Sequence, residues 1–476
     1  VYTFDDGEVD AVVVSEFMPP LLEGCGKLEA GSTREIALTA RSEFIQVFAS
    51  SRLAKKLCER IASQLLSANS DDKILEELES KAGFQALGPA GWTDWRGKDR
   101  SGQHPLPRTL GESPNILWRA GVSGPAMAGI TATSKFVLVA DKSADFKHDV
   151  FRCFDANTGK ENWTIRRQAS ERMEYTNVPR AMPVIVEDRV LLQSAFGLLI
   201  CADVESGRVL WSRHLCNDFD GELPTWGYCV PPLIVDDRVI VAPGGKAESI
   251  VALDIRTGET LWATKGHAAA YAPFIVGTFA GQRQIVGYDA AGLGGWDPRN
   301  GERLWEFVPP DNTDFHVATP VVFRDQLLLA TENNGTRLYS FRDGKIIAEP
   351  TADSYYCAPD TCTPVVSGNR VFCSAYGELF CLDGANQLGT IWSESDERFY
   401  DHTNLMADDH RVLLWGSECD LLLFDSQADQ LKIISNWRPM RGDHPESMSH
   451  PAMVGDRLYL RSQSELICIQ LPESNE

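Results

Sequence analysis

The side chains best suited to chemistry stand at one recurring place in this chain. Tyr175 and Arg180, Trp226 and Tyr228, Tyr271, His316, Tyr355 with Tyr356 and Asp360, His402 and His450 each come shortly before an apolar run, most of them opened by a proline. An imidazole can carry a proton near neutral pH. Aromatic faces stack on planar groups, and a guanidinium pairs with carboxylate or phosphate. Brought together, Arg180, Trp226, Tyr228, Tyr271, His316, Tyr356, His402 and His450 would form a binding pocket for a planar or anionic ligand. Three histidines from different loops could also meet a metal, but their spacing has no ligand pattern. Each can equally satisfy backbone groups in a crowded interior. No catalytic residue and no metal site is read from the sequence.

Familiar catalytic signatures are missing. The chain has no Gly-x-Ser-x-Gly, no His-Glu-x-x-His, no phosphate-binding Walker loop, no Gly-x-Gly-x-x-Gly and no Cys-x-x-Cys. Asn217 to Glu222 and Asp311 to Asp314 are rich in carboxylates but too short for a calcium loop of the EF-hand kind, and read as solvated loops.

The loops that carry the candidate residues must be held by a repeat. Asp155-Ala156-Asn157-Thr158-Gly159 leads to Trp163, Asp203 through Gly207 to Trp211, Asp254 through Gly258 to Trp262, and Asp297 through Gly301 to Trp305. Asp can bond its own backbone two residues on, and Gly takes the positive φ that closes the turn. The tryptophans, continued by Trp392 and Trp437, recur with a period of roughly 40–50 residues. Arg337 to Gly344 keeps the turn without the tryptophan. Pro183 to Val190, Pro232 to Val239, Pro364 to Val371 and Pro451 to Leu458 read as hairpins: short apolar runs joined by tight polar turns. Short strands at this period predict an all-β, eight-bladed β-propeller. The final repeat lacks an outer strand, and Asn115-Ile116-Leu117-Trp118 resembles the missing piece, so it is expected to close the ring from the N-terminal side.

Residues 91–476 are therefore assigned to the propeller and 1–90 to a small α/β appendage or the remnant of an upstream domain. In the appendage, 11–14 and 35–39 read as strands, and 51–68 and 74–82 as helices. Residues 92–102, rich in Gly and Arg, are expected to run as an ordered lead-in across one face of the ring.

The repeated Asp-x-x-Thr/Ser-Gly-x-x-x-Trp resembles the tryptophan-docking motif of the quinoprotein-like, or PQQ-repeat, propellers over residues 92 to 472. The resemblance implies that Trp163, Trp211, Trp262, Trp305, Trp392 and Trp437 staple neighbouring blades. It admits two functions. One is a non-catalytic binding or scaffolding propeller that holds a protein, peptide or small-molecule ligand at its central funnel or a flat face. The other is a PQQ-dependent oxidoreductase acting on an alcohol or sugar. Dehydrogenases of the family add a vicinal cysteine pair, and some a Cys-x-x-Cys-His haem motif; neither occurs here. The first reading is expected, with no cofactor. Resemblance to the exported members implies a periplasmic or exported protein.

Composition narrows the partners. A net charge of −22 and a pI near 4.9 argue against nucleic acid, whose phosphates need clustered cations. No apolar run is long enough for a membrane span. The sequence opens on Val1, as a trimmed or processed chain would, and shows no signal peptide. Most of the 12 cysteines sit at strand positions, as small apolar residues would. Cys357 and Cys362, on an expected loop, are the pair placed to oxidise.

Overall fold

A computed structural model describes residues 11–15, 33–39, 45–50, 84–85 and 91–472. The chain divides into two compact units, Val1–Ala90 and Gly91–Glu476. In the first, the strands Ala11–Ser15, Thr33–Thr39, Ile45–Ser50 and Phe84–Gln85 form an antiparallel sheet in the order first, third, second, fourth. The two strands expected from sequence are present. The helices expected over 51–68 and 74–82 lie outside the described residues.

The second unit is an eight-bladed propeller. Each blade is an antiparallel sheet of at least four strands, counted from the axis outward. The innermost strands of blades 1 to 8 are Thr131–Thr133, Val184–Val186, Leu233–Val235, Ile275–Phe279, Val321–Phe323, Val365–Ser367, Asn404–Ala407 and Ala452–Val454. Most are only three residues long, as crowding around an axis requires. The second strands follow after tight turns. In blade 2, Val186 pairs with Arg189 across Glu187 and Asp188, and Glu187 takes φ 52°. The middle strands are buried on both faces, for example Leu199 to Ala202 and Val251 to Leu253. That burial is why they read as continuous apolar runs.

The expected staples hold the blades together. Asp155 accepts from the backbone N–H of Asn157 and Thr158 at 3.0 and 2.8 Å, and Gly159 closes the turn at φ +68°. The indole of Trp163 reaches from blade 1 to the corresponding turn of blade 2 and donates to Val204 O at 2.9 Å. Trp211 donates to Ile255 O at 3.0 Å, Trp262 to Pro298 O at 3.2 Å and Trp392 to Ala428 O at 3.1 Å. Each ring of the first three also lies on the next turn's glycine: a Cβ on Gly207, Gly258 or Gly301 would come within 2.7, 2.7 and 2.3 Å of it.

Trp305 and Trp437 dock differently. Trp305 donates to Gln284 of its own blade, and Gln284 in turn donates to Gly344 O of blade 5 at 2.9 Å. Trp437 is buried in the core around blades 7 and 8, its indole N–H without a hydrogen-bond partner among the described residues. Blade 5 departs further from the repeat. Its 341–346 turn forms a separate small hairpin, Phe341–Arg342 with Lys345–Ile346, and the outer strand is Ala352–Ser354. Phe341 supplies an aromatic contact to Trp305, with ring centroids 5.8 Å apart.

The ring closes as the sequence predicts. Asn115–Gly121 is the outer strand of blade 8, with Trp118 opposite Cys468. Trp118 donates to Ala156 O of blade 1 at 3.0 Å and lies on Gly159. Nearer the axis, the fully buried Arg461 of blade 8 pairs with the equally buried Asp141 of blade 1 at 2.8 Å.

The lead-in takes an unexpected route. It does not lie across a face; it fills the axis. Gly91–Trp92 adds a fifth, innermost strand to blade 1 beside Thr131–Thr133. Thr93 O then accepts from Ile185 N in blade 2 at 2.9 Å. Arg100 donates to Pro232 O and Phe274 O of blades 3 and 4, at 2.7 and 2.8 Å, while gripping Asp94 with two further bonds. Trp95 reaches Thr319 of blade 5 at 2.8 Å, and Arg96 reaches Pro364 O of blade 6 at 2.7 Å. Gly102 O and His104 N complete a ladder with Ala407 of blade 7. Inner strand edges present unpaired carbonyls to a narrow channel. The forked guanidinium of Arg100 satisfies two of them at once and Arg96 satisfies one, and the two side chains are 2 and 1 % exposed.

Candidate functional site

With the axis filled, the funnel on the other side is a cup floored by Trp95. It encloses about 430 Å³. Trp226, Tyr271 and Phe315 form one aromatic wall, with the Trp226 ring 5.0 Å from Tyr271 and 4.6 Å from Phe315. Met127, Met448, Val317, Pro231 and Pro273 complete the apolar lining. Polar groups come from Arg180, Glu332, Asp360, His402, Thr403 and Asn404.

Of the residues that the sequence singles out, Tyr175, Arg180, Trp226, Tyr271, Asp360 and His402 line this cup. Arg180 is not free to take an anion by all its donors. Its Nη1 donates to Val178 O at 2.9 Å and its Nη2 to Thr176 O at 2.7 Å, so it braces its own loop. Burial lowers the pKa of this guanidinium and also that of the His402 imidazole, which favours the neutral ring.

Four residues expected in the pocket are elsewhere. Tyr228 is buried beneath the wall, where its hydroxyl donates to Pro243 O at 2.8 Å. Gly227, at φ +73°, turns the chain between Trp226 and Tyr228, so the two rings part. His316 has φ +53°, which sends Phe315 into the cup and His316 into the interior, stacked on Tyr288 at 4.3 Å. Tyr356 is 82 % exposed and does not line the cup. His450 lies under the floor, stacked on Trp92 at 5.7 Å and edge-on to Trp95 at 5.3 Å. The three histidines do not converge. Among the described residues no group of three or more His, Cys, Asp or Glu is placed to hold a metal ion.

Other lining residues were not singled out by sequence. Trp95 belongs to a stretch without periodicity, and Glu332 follows the second strand of blade 5 with no local mark of function. Cys357 and Cys362 are buried free thiols, as is Cys373, whose Sγ lies 3.7 Å from Cys362 O.

A second cavity of about 500 Å³ runs between blades 8 and 1 and is lined by Ser123 to Ala126, Phe146, Glu446 and Gln463. Met127, Tyr175 and Met448 line both this groove and the cup. The Tyr175 hydroxyl approaches Met448 Sδ at 3.9 Å across the divide.

His450 gives the floor a pH dependence. Its Nδ1 meets Pro451 O at 2.9 Å, and burial together with the Arg96 charge pushes its pKa down to about 3. The unfolded chain takes up this proton near pH 6.5, so the stabilisation is complete above that pH. It is lost as pH falls toward 3, at up to about 1.4 kcal/mol per pH unit. Urea unfolding of the wild type and of His450→Asn between pH 7 and 4 is expected to show the slope in the first and a shallower one in the second. Parallel slopes would contradict it.

The family described as outer membrane protein assembly factor BamB matches residues 147–386. The outer membrane protein assembly factor BamB of Shewanella oneidensis is 22% identical over 393 residues, covering 75% of this chain and 89% of the relative. Among solved structures, BamB from Moraxella catarrhalis superposes with a TM-score of 0.54 at 14% identity, over 75% of this chain and all of that one. The quinohemoprotein alcohol dehydrogenase of Comamonas testosteroni gives 0.60 at 12% identity, over 87% of this chain and 85% of that one. At such identities the structures speak for the fold alone. The family match spans half the chain, blade after blade of the tryptophan-stapled ring, and on it the chain belongs to the PQQ-repeat propeller family described as outer membrane protein assembly factor BamB.

Proposed function

We propose that the protein is a non-catalytic scaffold that binds a protein partner through the cup face, in an exported, envelope-facing setting such as the relatives' names describe. The observation that carries this reading is the filled axis. Trp95, Arg96 and Arg100 turn the centre of the ring into a rigid floor, and what remains is a shallow, aromatic, one-sided cup. Aromatic and methionine-rich concave surfaces suit protein recognition.

The competing reading is a PQQ-dependent oxidoreductase. Pyrroloquinoline quinone is a planar tricarboxylate, and the residues present do not fit it. Arg180 is the sole lysine or arginine among the lining residues, and its Nη donors are engaged by its own loop. Glu332 and Asp360 face the same space and would repel a carboxylate. We therefore propose that no such cofactor is used. Among the described residues no helix is long and apolar enough to cross a membrane.

Two measurements test the reading. Purified protein supplied with PQQ, Ca²⁺ and a panel of alcohols and sugars is expected to reduce no dye. A photoreactive amino acid at Phe315 or Tyr175, both exposed on the lining of the cup, is expected to cross-link an envelope protein in cells of the source organism. The same group at Lys160, on an outer turn, serves as the control. Dye reduction, or cross-linking no greater at the cup than at Lys160, would reject the scaffold.

A further inference from the structure

The cup carries uncompensated negative charge. The Glu332 carboxylate accepts from Phe315 N at 3.2 Å, and its other charged neighbours are the carboxylates of Asp314 and Asp360. Burial, and then that crowding, raises its pKa. No described lysine or arginine forms an ion pair with it or with Asp360, and Arg180 is held by the carbonyls of its own loop. A second observation points the same way. Thr403, 4 % exposed, lines the cup, and beyond the neighbouring Cys362 thiol its hydroxyl has no hydrogen-bond partner among the described residues. A bound donor would give that hydroxyl an oxygen or nitrogen partner. The aromatic wall presents ring faces, which attract a cation. The adjoining groove shares Met127, Tyr175 and Met448 with the cup and continues the cavity outward between blades 8 and 1.

We propose that the cup and the groove form a single site for an extended polypeptide segment bearing an arginine or lysine. The cationic side chain enters the cup against Trp226 and Phe315 to meet Glu332 and Asp360, and the main chain leaves along the groove between blades 8 and 1. This rests on the scaffold reading and names the chemistry of its partner.

The probe is a short, end-blocked peptide with one central arginine flanked by leucine and serine, titrated calorimetrically into the full chain at low ionic strength. Matched peptides carry glutamine or glutamate at the centre, and free arginine amide is the small-molecule arm. The arginine peptide is expected to bind at least tenfold more tightly than the glutamine peptide and tenfold more tightly than arginine amide, with the glutamate peptide weakest. Asp360→Asn, at an exposed loop position, is expected to erase most of the arginine preference without moving the melting temperature. Glu332→Gln with Asp360→Asn should remove the rest. Equal binding of the arginine and glutamine peptides, or a preference that survives in the double variant, overturns the cationic assignment. Arginine amide binding as well as the peptide overturns the groove. Should these fail while cup-face cross-links persist, the scaffold stands and the partner chemistry falls. Loss of the cross-links as well removes both.

Discussion

Replacing Arg100 with methionine is expected to lower the stability of the ring by about 3–5 kcal/mol, the scale for removing one partner from a buried charged network. Methionine fills similar space, so the loss is not a cavity. It comes from stranding Pro232 O and Phe274 O against a dry channel and from leaving Asp94 without its cation. Arg100→Lys is expected to recover only part of this, because an ammonium has no planar fork with which to span two carbonyls and a carboxylate. Urea midpoints for the three proteins measure the order. Wild-type stability in Arg100→Met would mean that the lead-in is not held by the blades, and the floor of the cup would lose its rigidity as an argument.

Gly258→Ala tests the staple between blades 3 and 2. Two penalties add. The residue sits at φ +72°, which costs an alanine roughly 1 kcal/mol. Its Cβ would also fall 2.7 Å from the Trp211 ring, and the overpacking costs about 1–3 kcal/mol more. Trp211→Ala alone is expected to cost about 3–5 kcal/mol. The double variant separates the two effects: without the indole, adding the methyl group should cost only the backbone strain. Gly455→Ala is the control, since it has φ +60° and nothing within 4 Å of the added carbon. If Gly258→Ala costs no more than Gly455→Ala, the indole does not pack on the turn.

The architecture was readable because its determinants are local and periodic. An Asp-to-Gly turn followed four residues later by tryptophan encodes both the bend and the contact to the next blade, so Trp163, Trp211 and Trp262 announced themselves, while Trp392 was found by the period of the repeat. Trp118 could be matched to the vacant position in blade 8 for the same reason. Blade 5 was found as a turn without its tryptophan, but not the separate hairpin that this turn forms or the outer strand that follows it. The pocket was half readable. Proximity to an inner strand is shared by Arg180, Trp226, Tyr271 and His402, all of which line the cup. It could not say which of two neighbours faces the axis when a left-handed residue intervenes, as at His316 and Gly227. Arg96 and Arg100 look like solvent residues in sequence. Their partners are carbonyls 268, 174 and 132 residues away, and no local pattern carries that information.

The outer strand of blade 8 has a bearing on biosynthesis. Arg119 and Glu465, which pair across it, are 346 residues apart in sequence. During synthesis the first partner must wait, unmatched, until nearly all of the ring has been made. Such distant pairing is slow, and the idle strand invites mispairing meanwhile. Assembly of the final seam is thus set by the arrival of the last strand, and a chain stalled before residue 465 would be an open crescent whose eighth blade holds only its two inner strands, with both ends open to aggregation.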